Sequence, residues 1–358
     1  MTLTQLELHH FRNISASKLT FSPGLNLIIG PNASGKTSLL ESIHALGTGR
    51  SFRTSRIDRL IQHGHTQLQL LAHIQDDSDR VHIVGLQRQT KKTQAKINGE
   101  FVTKLTALIK LLPIHLLQPE THYLLEQGPR LRRQFLDWGV FHVEHSYLDV
   151  WQDYHRTLRQ RNALIRRRAA SRQIRAWNKP LADFALTLHH MRTRYIDSMG
   201  PHIEFIATEL LDEAPHVAYS SGWPQDMDLL HLLESSVLAD LERGYTQHGA
   251  HRADLVITAH AMPAQLHYSR GQQKLLVATL RLAHLLVLRD LGRNSGILLV
   301  DDLPSELDRQ HRSKLLKLLA GMGNQTFITA TEADLLDRDL WPENKMFHVE
   351  RGSINEML

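Results

Sequence analysis

One run of eight residues, Gly30-Pro31-Asn32-Ala33-Ser34-Gly35-Lys36-Thr37, constrains this chain more than any other stretch. A glycine-rich turn ending in Lys-Thr works only with a buried strand before it and a helix after it. The flanks supply both. Residues 25–29 form an apolar run of strand length that stops at Gly30, and residues 36–46 carry helical apolar spacing. In that setting the glycines let backbone N–H groups close around an anion at a helix N-terminus. Lys36 is expected to reach the β- and γ-phosphate oxygens of a nucleoside triphosphate. Thr37 offers its hydroxyl to Mg2+, with Ser38 beside it in the first turn. A plain structural glycine turn is the alternative, and the strand-to-helix context weighs against it.

A magnesium ion needs a second holder. Ile297-Leu298-Leu299-Val300 reads as a buried strand and runs into Asp301 and Asp302. Asp301 is expected to hold Mg2+, directly or through water, and Asp302 to orient or deprotonate the attacking water. Capping a helix is the plainer use of such a pair. Elsewhere Leu3, Leu6 and Leu8 begin an extended stretch, and residues 68–74, 81–86 and 326–329 read as strands. Asn98-Gly99 marks a hairpin turn. These segments predict an α/β class in which the early and late parts share one sheet.

The texture changes after about residue 128. Trp151, Tyr154, Leu158 and Ile165, then Leu181, Phe184, Leu188, Met191 and Tyr195, recur at helical spacing, as packing seams rather than ligand sites. The length of 358 suits about two domains. The expected division is a discontinuous head, residues 1–128 with 244–358, and an inserted, mostly helical arm, residues 129–243.

Tyr268-Ser269-Arg270-Gly271-Gln272-Gln273-Lys274 opens a further helix. Ser269 can cap it, leaving N–H groups and a dipole pointing outward, and Gly271 permits close approach of an anion. One phosphate loop already exists, so a second anion site suggests the γ-phosphate held by a neighbouring subunit. Taken singly these residues make an ordinary helix start. With Gly271 placed 30 residues before Asp301, they resemble the signature motif of the ATP-binding-cassette superfamily. Ser305-Glu306-Leu307-Asp308 resembles that superfamily's D-loop. The resemblance implies a symmetric dimer sandwiching two ATP molecules, each between Lys36 of one chain and Ser269, Gly271 and Gln272 of the other, with Asp308 nearby. The superfamily commonly ends its carboxylate motif in Glu and carries a switch His after the last strand. Asp302 and Thr329-Ala330-Thr331 occupy those regions here, so slow, switch-like hydrolysis is expected.

Taken together, the motifs resemble the RecF family of bacterial recombination-repair proteins over nearly the whole length. The matching stretches are Phe11-Arg12-Asn13, the phosphate loop, Gly49-Arg50-Ser51-Phe52-Arg53, Pro119-Glu120, Arg132-Arg133-Gln134-Phe135-Leu136-Asp137 and Gln160-Arg161-Asn162. Gly249-Ala250-His251-Arg252-Ala253-Asp254 follows, with Ala250 where the family pattern has Pro, and then the signature and carboxylate segments. The resemblance implies an ABC/SMC-like P-loop ATPase head with an inserted helical arm. It implies an ATP-dependent homodimer that clamps double-stranded or gapped DNA in the cytoplasm, on the nucleoid. Its setting is gaps and stalled forks and the SOS response, where with RecR and RecO it helps RecA displace single-strand-binding protein. Weak DNA-dependent ATP hydrolysis is part of that expectation. Gln118 stands where a nucleotide-sensing Gln follows a strand.

Charge fits a polyanion partner locally rather than globally. The balance of 42 basic to 37 acidic residues gives only +5, yet residues 156–179 hold nine basic side chains and no Asp or Glu. A solvated helix face is the competing use of that block. Arg50, Arg53, Arg159, Arg161, Arg166, Arg167 and Arg168 are the expected DNA contacts, phosphate-dominated and blind to sequence. The absence of Cys excludes disulfides and thiolate metal sites, and suits a reducing cytosol. The first 13 residues lack the apolar core of a signal peptide, and no uncharged stretch reaches membrane-spanning length. The 24 His include pairs three apart, His142 with His145 and His248 with His251, expected as surface groups rather than metal ligands. A transporter ATPase subunit is disfavoured because 233 residues separate Lys36 from Ser269, a long-armed chromosome organiser because the insert is short, and a small-molecule kinase because no substrate pocket is indicated.

Overall fold

The computed structural model describes residues 1–90, 92–118, 123–211, 213–302 and 306–357. Its contacts divide the chain into two units, Met1–Thr121 with Asn294–Leu358, and His122–Arg293.

Among the described residues the first unit carries two six-stranded sheets. One is antiparallel, in the order Ile14–Thr20, Thr2–Phe11, Gln67–Gln75, Val81–Gln89, Thr93–Ile97, Glu100–Phe101. Alternation decides its inner face: Leu68, Leu70, Ala72 and Ile74 are buried while Gln69 and Leu71 are exposed. Its last hairpin turns at Asn98 and Gly99 with φ of 51° and 86°, the doubly left-handed pair that matches strand twist.

The second sheet of this unit runs Ser353–Met357, Asn344–Glu350, Leu25–Ile29, Thr326–Ala330, Ile297–Val300, Ile114–Leu117, parallel except for its Ser353–Met357 edge. Strands covered on both faces cannot alternate, and Ile114–Leu117, Ile297–Val300 and Thr326–Ala330 are buried at every position. Early and late segments thus share one sheet, as the sequence predicts. The helix Lys36–Thr48 touches strands of both sheets. Its Leu39, Leu40, Ile43 and Leu46 have no exposed surface and join the core formed with Leu6, Leu8, Ile28 and Leu70. Each such side chain contributes about 1.5–3 kcal/mol of burial, which anchors the helix that follows the glycine turn.

In the second unit the helices Tyr147–Arg166 and Arg270–Asp290 pack on the long helix Asn178–Leu210. The stripes read from sequence are the seams: Tyr154, Leu158, Ile165, Leu181, Leu188, Met191 and Tyr195 are buried, and Trp151 and Phe184 half-buried. Besides its helices the second unit holds a small sheet, in which His216–Ser220 pairs with Asp254–Ala259, which pairs with Met262–Pro263. The contacts divide the chain elsewhere than expected, since residues 244–293 fall in the second unit rather than in the head. The cause is physical: Asp254–Ala259 needs the ladder of His216–Ser220, and Arg270–Asp290 is buried on nearly every face from Leu275 to Leu288 and needs the long helix to cover it.

Candidate nucleotide-binding site

The strand Leu25–Ile29 delivers the chain into Gly30, and the helix takes over at Lys36 with Gly35 as its cap and no side-chain capping bond. Gly30 and Gly35 hold φ of 154° and 125°, open to glycine alone. A Cβ on Gly30 would meet the Val349 carbonyl oxygen at 2.2 Å, and one on Gly35 would meet Asn13 Nδ2 at 3.0 Å. Ala33 has a φ of 63°, a left-handed conformation costing about 1–2 kcal/mol. The turn is pinned next door, where Asn13 Nδ2 and the Gly352 N–H donate to the Ser34 carbonyl at 3.0 and 2.8 Å. Lys36 is 4% exposed, and its ammonium donates to the carbonyls of Gly30 and Pro31 at 2.9 and 3.2 Å.

Strand register brings the rest of the site to the same edge. Leu117 and Ile328 both lie opposite Val300, and Ile29 lies opposite Ala330, so Gly30, Gln118 and Asp301 leave the sheet at its carboxyl end. Thr37 Oγ1 donates to Asp301 Oδ1 at 3.0 Å, and Thr329 Oγ1 donates to the same oxygen at 2.9 Å. Thr329 also accepts the Asp302 N–H at 2.8 Å, and Asp302 itself adopts a φ of 47°. Burial raises the Asp301 carboxyl above the usual carboxylate range; the Thr329 and Thr37 hydroxyls work against that rise, Asp302 reinforces it and Arg53 opposes it. A hydroxyl and a buried carboxylate side by side are hard oxygen donors of the kind Mg2+ takes.

A cavity of about 650 Å3 opens over the loop, lined by residues 32–38 and Asp302. That volume lies within the range of small-molecule sites. Ser34 Oγ is buried with no hydrogen-bond partner among the described residues, as expected of a group that waits for a phosphate oxygen. Arg12, Arg53 and Arg59 also line the cavity and make it strongly positive. Motif reading missed Arg12, Asn13 and Arg59 as parts of this site and assigned Arg53 to DNA. Arg12 is held by a two-bonded pair with the fully buried Glu41, at 2.8 and 2.7 Å, and Ser51 also donates to Glu41. Gln118 follows its strand at the level of Asp301 but is not among the residues lining the cavity.

Ser269, Gly271 and Gln272 lie in the second unit. Ser269 caps the helix Arg270–Asp290 through a reciprocal box: its hydroxyl accepts the Gln272 N–H at 3.4 Å, and Gln272 Oε1 accepts the Ser269 N–H at 3.0 Å. Both Ser269 and Gly271 are exposed, and a Cβ built on Gly271 meets no atom of the described residues within 4 Å beyond its own helical turn. Asp308, 64% exposed in its side chain, caps the helix Arg309–Gly321 by accepting the His311 N–H at 3.0 Å, which lowers its pKa. Ser305, Pro119 and Glu120 lie outside the described residues.

Residues 2–353 match the family model described as RecF/RecN/SMC N terminal domain. The chain is 42% identical over 357 residues to the DNA replication and repair protein RecF of Shewanella woodyi, covering 99% of this chain and 98% of that relative. It is 40% identical to the protein of the same name from Hydrogenovibrio crunogenus, with 99% of each covered. The chain belongs to the RecF family. A solved structure of the recombination mediator protein RecF-ATP in the RecFOR pathway matches with a TM-score of 0.88 at 25% identity, over 100% of this chain and 98% of that one. An Smc head domain from Pyrococcus furiosus matches in fold at a TM-score of 0.61 and 14% identity, over 99% and 96% of the two chains. The fold is therefore that of an ABC/SMC-like ATPase head.

Several stretches that carry the RecF family likeness prove to hold the second unit together. Arg132 forms a two-bonded pair with Asp254, 2.8 Å on each side, and Arg133 donates to the Ala253 carbonyl at 2.7 Å. Asn162 accepts the Thr246 N–H and hydroxyl at 2.8 and 2.7 Å. Arg161, expected on DNA, has no exposed surface: it pairs with Asp240 at 2.7 Å and donates to Asn178 and Thr246 at 2.9 and 2.7 Å. It is an internal staple, not a DNA contact. The reason is periodic, since residue 161 falls on the buried stripe of Tyr154, Leu158 and Ile165. Arg50, Arg159, Arg166, Arg167 and Arg168 are exposed, and none of the five forms an ion pair among the described residues.

Proposed function

We propose that the chain acts in DNA replication and repair as an ATP-dependent clamp, in which a homodimer closes on double-stranded or gapped DNA when ATP fills the interface. The glycine turn, Lys36 and the helix N-terminus cradle the phosphates, while Thr37 and Asp301 hold Mg2+. Asp302 positions the attacking water, and slow hydrolysis of ATP reopens the dimer. Exposed arginines of the second unit and Arg50 neutralise the DNA backbone. RecO, RecR and RecA act in the same pathway, in the cytoplasm. The names of the relatives, the ATP in the structural neighbour and the geometry of the phosphate cavity support this reading.

The observation that carries it is Gly271. Its surroundings within the chain place no demand on a glycine, because an added Cβ meets nothing, yet it opens a helix whose cap leaves the N-terminal end exposed. A phosphate brought by a second copy supplies the demand. The test is sedimentation mass and duplex-DNA binding with and without ATP and Mg2+, for the natural chain, Lys36→Arg and Ser269→Arg. ATP is expected to double the mass and retain DNA, and either substitution to abolish both effects. A mass and a DNA affinity indifferent to ATP would overturn the clamp.

A further inference from the structure

Three side chains brought together from separate segments of the second unit form a cluster that the nucleotide chemistry does not use. Glu213 follows the long helix, His260 sits in the two-residue turn between Asp254–Ala259 and Met262–Pro263, and His267 ends the short helix Ala264–His267. Their ligand atoms all lie within 4.8 Å of one another. His260 Nε2 is 2.5 Å from Glu213 Oε2, and His267 Nε2 closes on Oε1. The two imidazole rings are tilted, with centroids 5.1 Å apart.

Glu213 Oε1 is sealed from solvent and has no hydrogen-bond partner among the described residues, although a ring nitrogen lies within ion-pair distance. A buried carboxylate oxygen without a partner is unfavourable, because its lost hydration is not replaced. A cation between the nitrogens and that oxygen removes the cost, because it takes lone pairs from all three and needs no N–H direction. The segment is also held in place independently of the cluster, by Tyr268, whose hydroxyl donates to the Glu213 carbonyl at 3.3 Å.

We propose that Glu213, His260 and His267 bind a divalent transition-metal ion of the zinc class. Two imidazoles and one carboxylate suit zinc better than Mg2+ or Ca2+, which prefer all-oxygen shells, and three protein ligands leave a fourth position for water. Glu213 and His267 are partly shielded and His260 is 71% exposed, so the ion enters from the His260 side. His260 and Ala261 occupy the turn with φ of 47° and 61°, where Asn and Gly are the usual residues. Histidine there places a ligand where a turn former would be favoured. His267 lies two residues before Ser269, so the ion also steadies the entry to the signature helix, a consequence that rests on the ATP-sandwich reading.

The test is calorimetric titration of the ATP-free chain with Zn2+, and with Co2+ as a spectroscopic probe, for the natural sequence, Glu213→Gln, His260→Asn and His267→Gln. His260→Asn keeps a residue that tolerates the left-handed turn, and thermal melts check that each variant folds. One saturable site per chain is expected, with tetrahedral Co2+ absorption, weakened at least about 100-fold by each substitution, the upper end of what loss of a supporting group alone brings. Unchanged binding in His260→Asn, or only weak non-saturating uptake by the natural chain, overturns the proposal and leaves two histidine–carboxylate ion pairs. Because ATP is absent, neither outcome depends on the clamp.

Discussion

The phosphate loop and the signature segment are both helix N-termini with a glycine at the cap or in the first turn, yet the chain treats them in opposite ways. Gly30 and Gly35 are hemmed in: added Cβ atoms meet Val349 and Asn13, and the turn between them is tied by bonds from Asn13 and Gly352. Gly271 is open, with its helix capped only by its own Ser269 and Gln272. One is a cradle whose glycines are explained from within; in the proposed dimer the other is half a site whose glycine is explained from without. Internal crowding explains the glycines of the phosphate loop, whereas the proposed dimer supplies the reason for Gly271.

The largest effect is expected away from both glycine sites, at Arg161, and it tests whether the second unit is a packed body rather than a loose arm. Arg161→Ala strands Asp240 in the interior and is expected to cost about 3–5 kcal/mol, measured by denaturant unfolding. Arg166, Arg167 and Arg168 changed together to Ala should leave stability within about 0.5 kcal/mol. The same triple change lowers the salt slope of DNA binding by about 3. An equal loss of stability in both would erase the distinction between staple and surface.

Next comes the glycine pair itself. Gly30→Ala drives a methyl into the Val349 carbonyl, and about 1–3 kcal/mol of stability should go together with nucleotide binding. Gly271→Ala should leave the melting temperature unchanged or raise stability by up to about 1 kcal/mol, retain ATP binding, and weaken only the ATP-driven dimer. Calorimetry and sedimentation on the same samples separate these outcomes.

Asp301 gives a smaller effect with an unusual sign. Its raised pKa means that the folded apo chain holds the proton more tightly than the unfolded chain does. The associated stability is therefore present below the unfolded value of about 3.9 and lost as pH rises through the folded one. Asp301→Asn is expected to stabilise the apo chain slightly at neutral pH while abolishing the Mg2+ dependence of nucleotide binding. In the natural chain that dependence should fade on acidification above the ordinary Asp range. A second pH effect lies in the second unit, where burial lowers the His251 pKa to about 4. Stability from keeping it neutral is present above about 6.5 and falls as pH drops toward 4. His251→Gln should flatten that part of the acid unfolding curve, read by far-UV dichroism.

Much of this was legible in the sequence because the signals are local. The strand–turn–helix context of the phosphate loop, the buried strand before Asp301 and the Asn98-Gly99 hairpin each depend on neighbours a few residues away. What was not legible depends on long-range pairing. Nothing near Arg53 or Arg59 announces that they line the phosphate cavity, and Asn13 meets Ser34 only because a strand pair brings it there. The unit boundary moved because Asp254–Ala259 finds its ladder on His216–Ser220. Arg161 is the exception: its burial was readable from its place on the Tyr154–Leu158–Ile165 stripe, and charge counting concealed it. Glu213, His260 and His267 offer no ligand spacing at all, since three segments converge only in the fold.

The central claim is that the second half of the nucleotide site comes from another copy. Mixing two crippled chains tests it most directly: Lys36→Ala, which cannot hold phosphate, and Ser269→Arg, which cannot receive it. Each alone, with ATP and Mg2+, should sediment as a monomer, with Ser269→Arg still binding ATP. Their mixture should recover an ATP-dependent dimer through the one interface that joins intact Lys36 to intact Ser269. A mixture that stays monomeric while the natural chain dimerises, or a Ser269→Arg chain that binds no ATP on its own, would contradict the account.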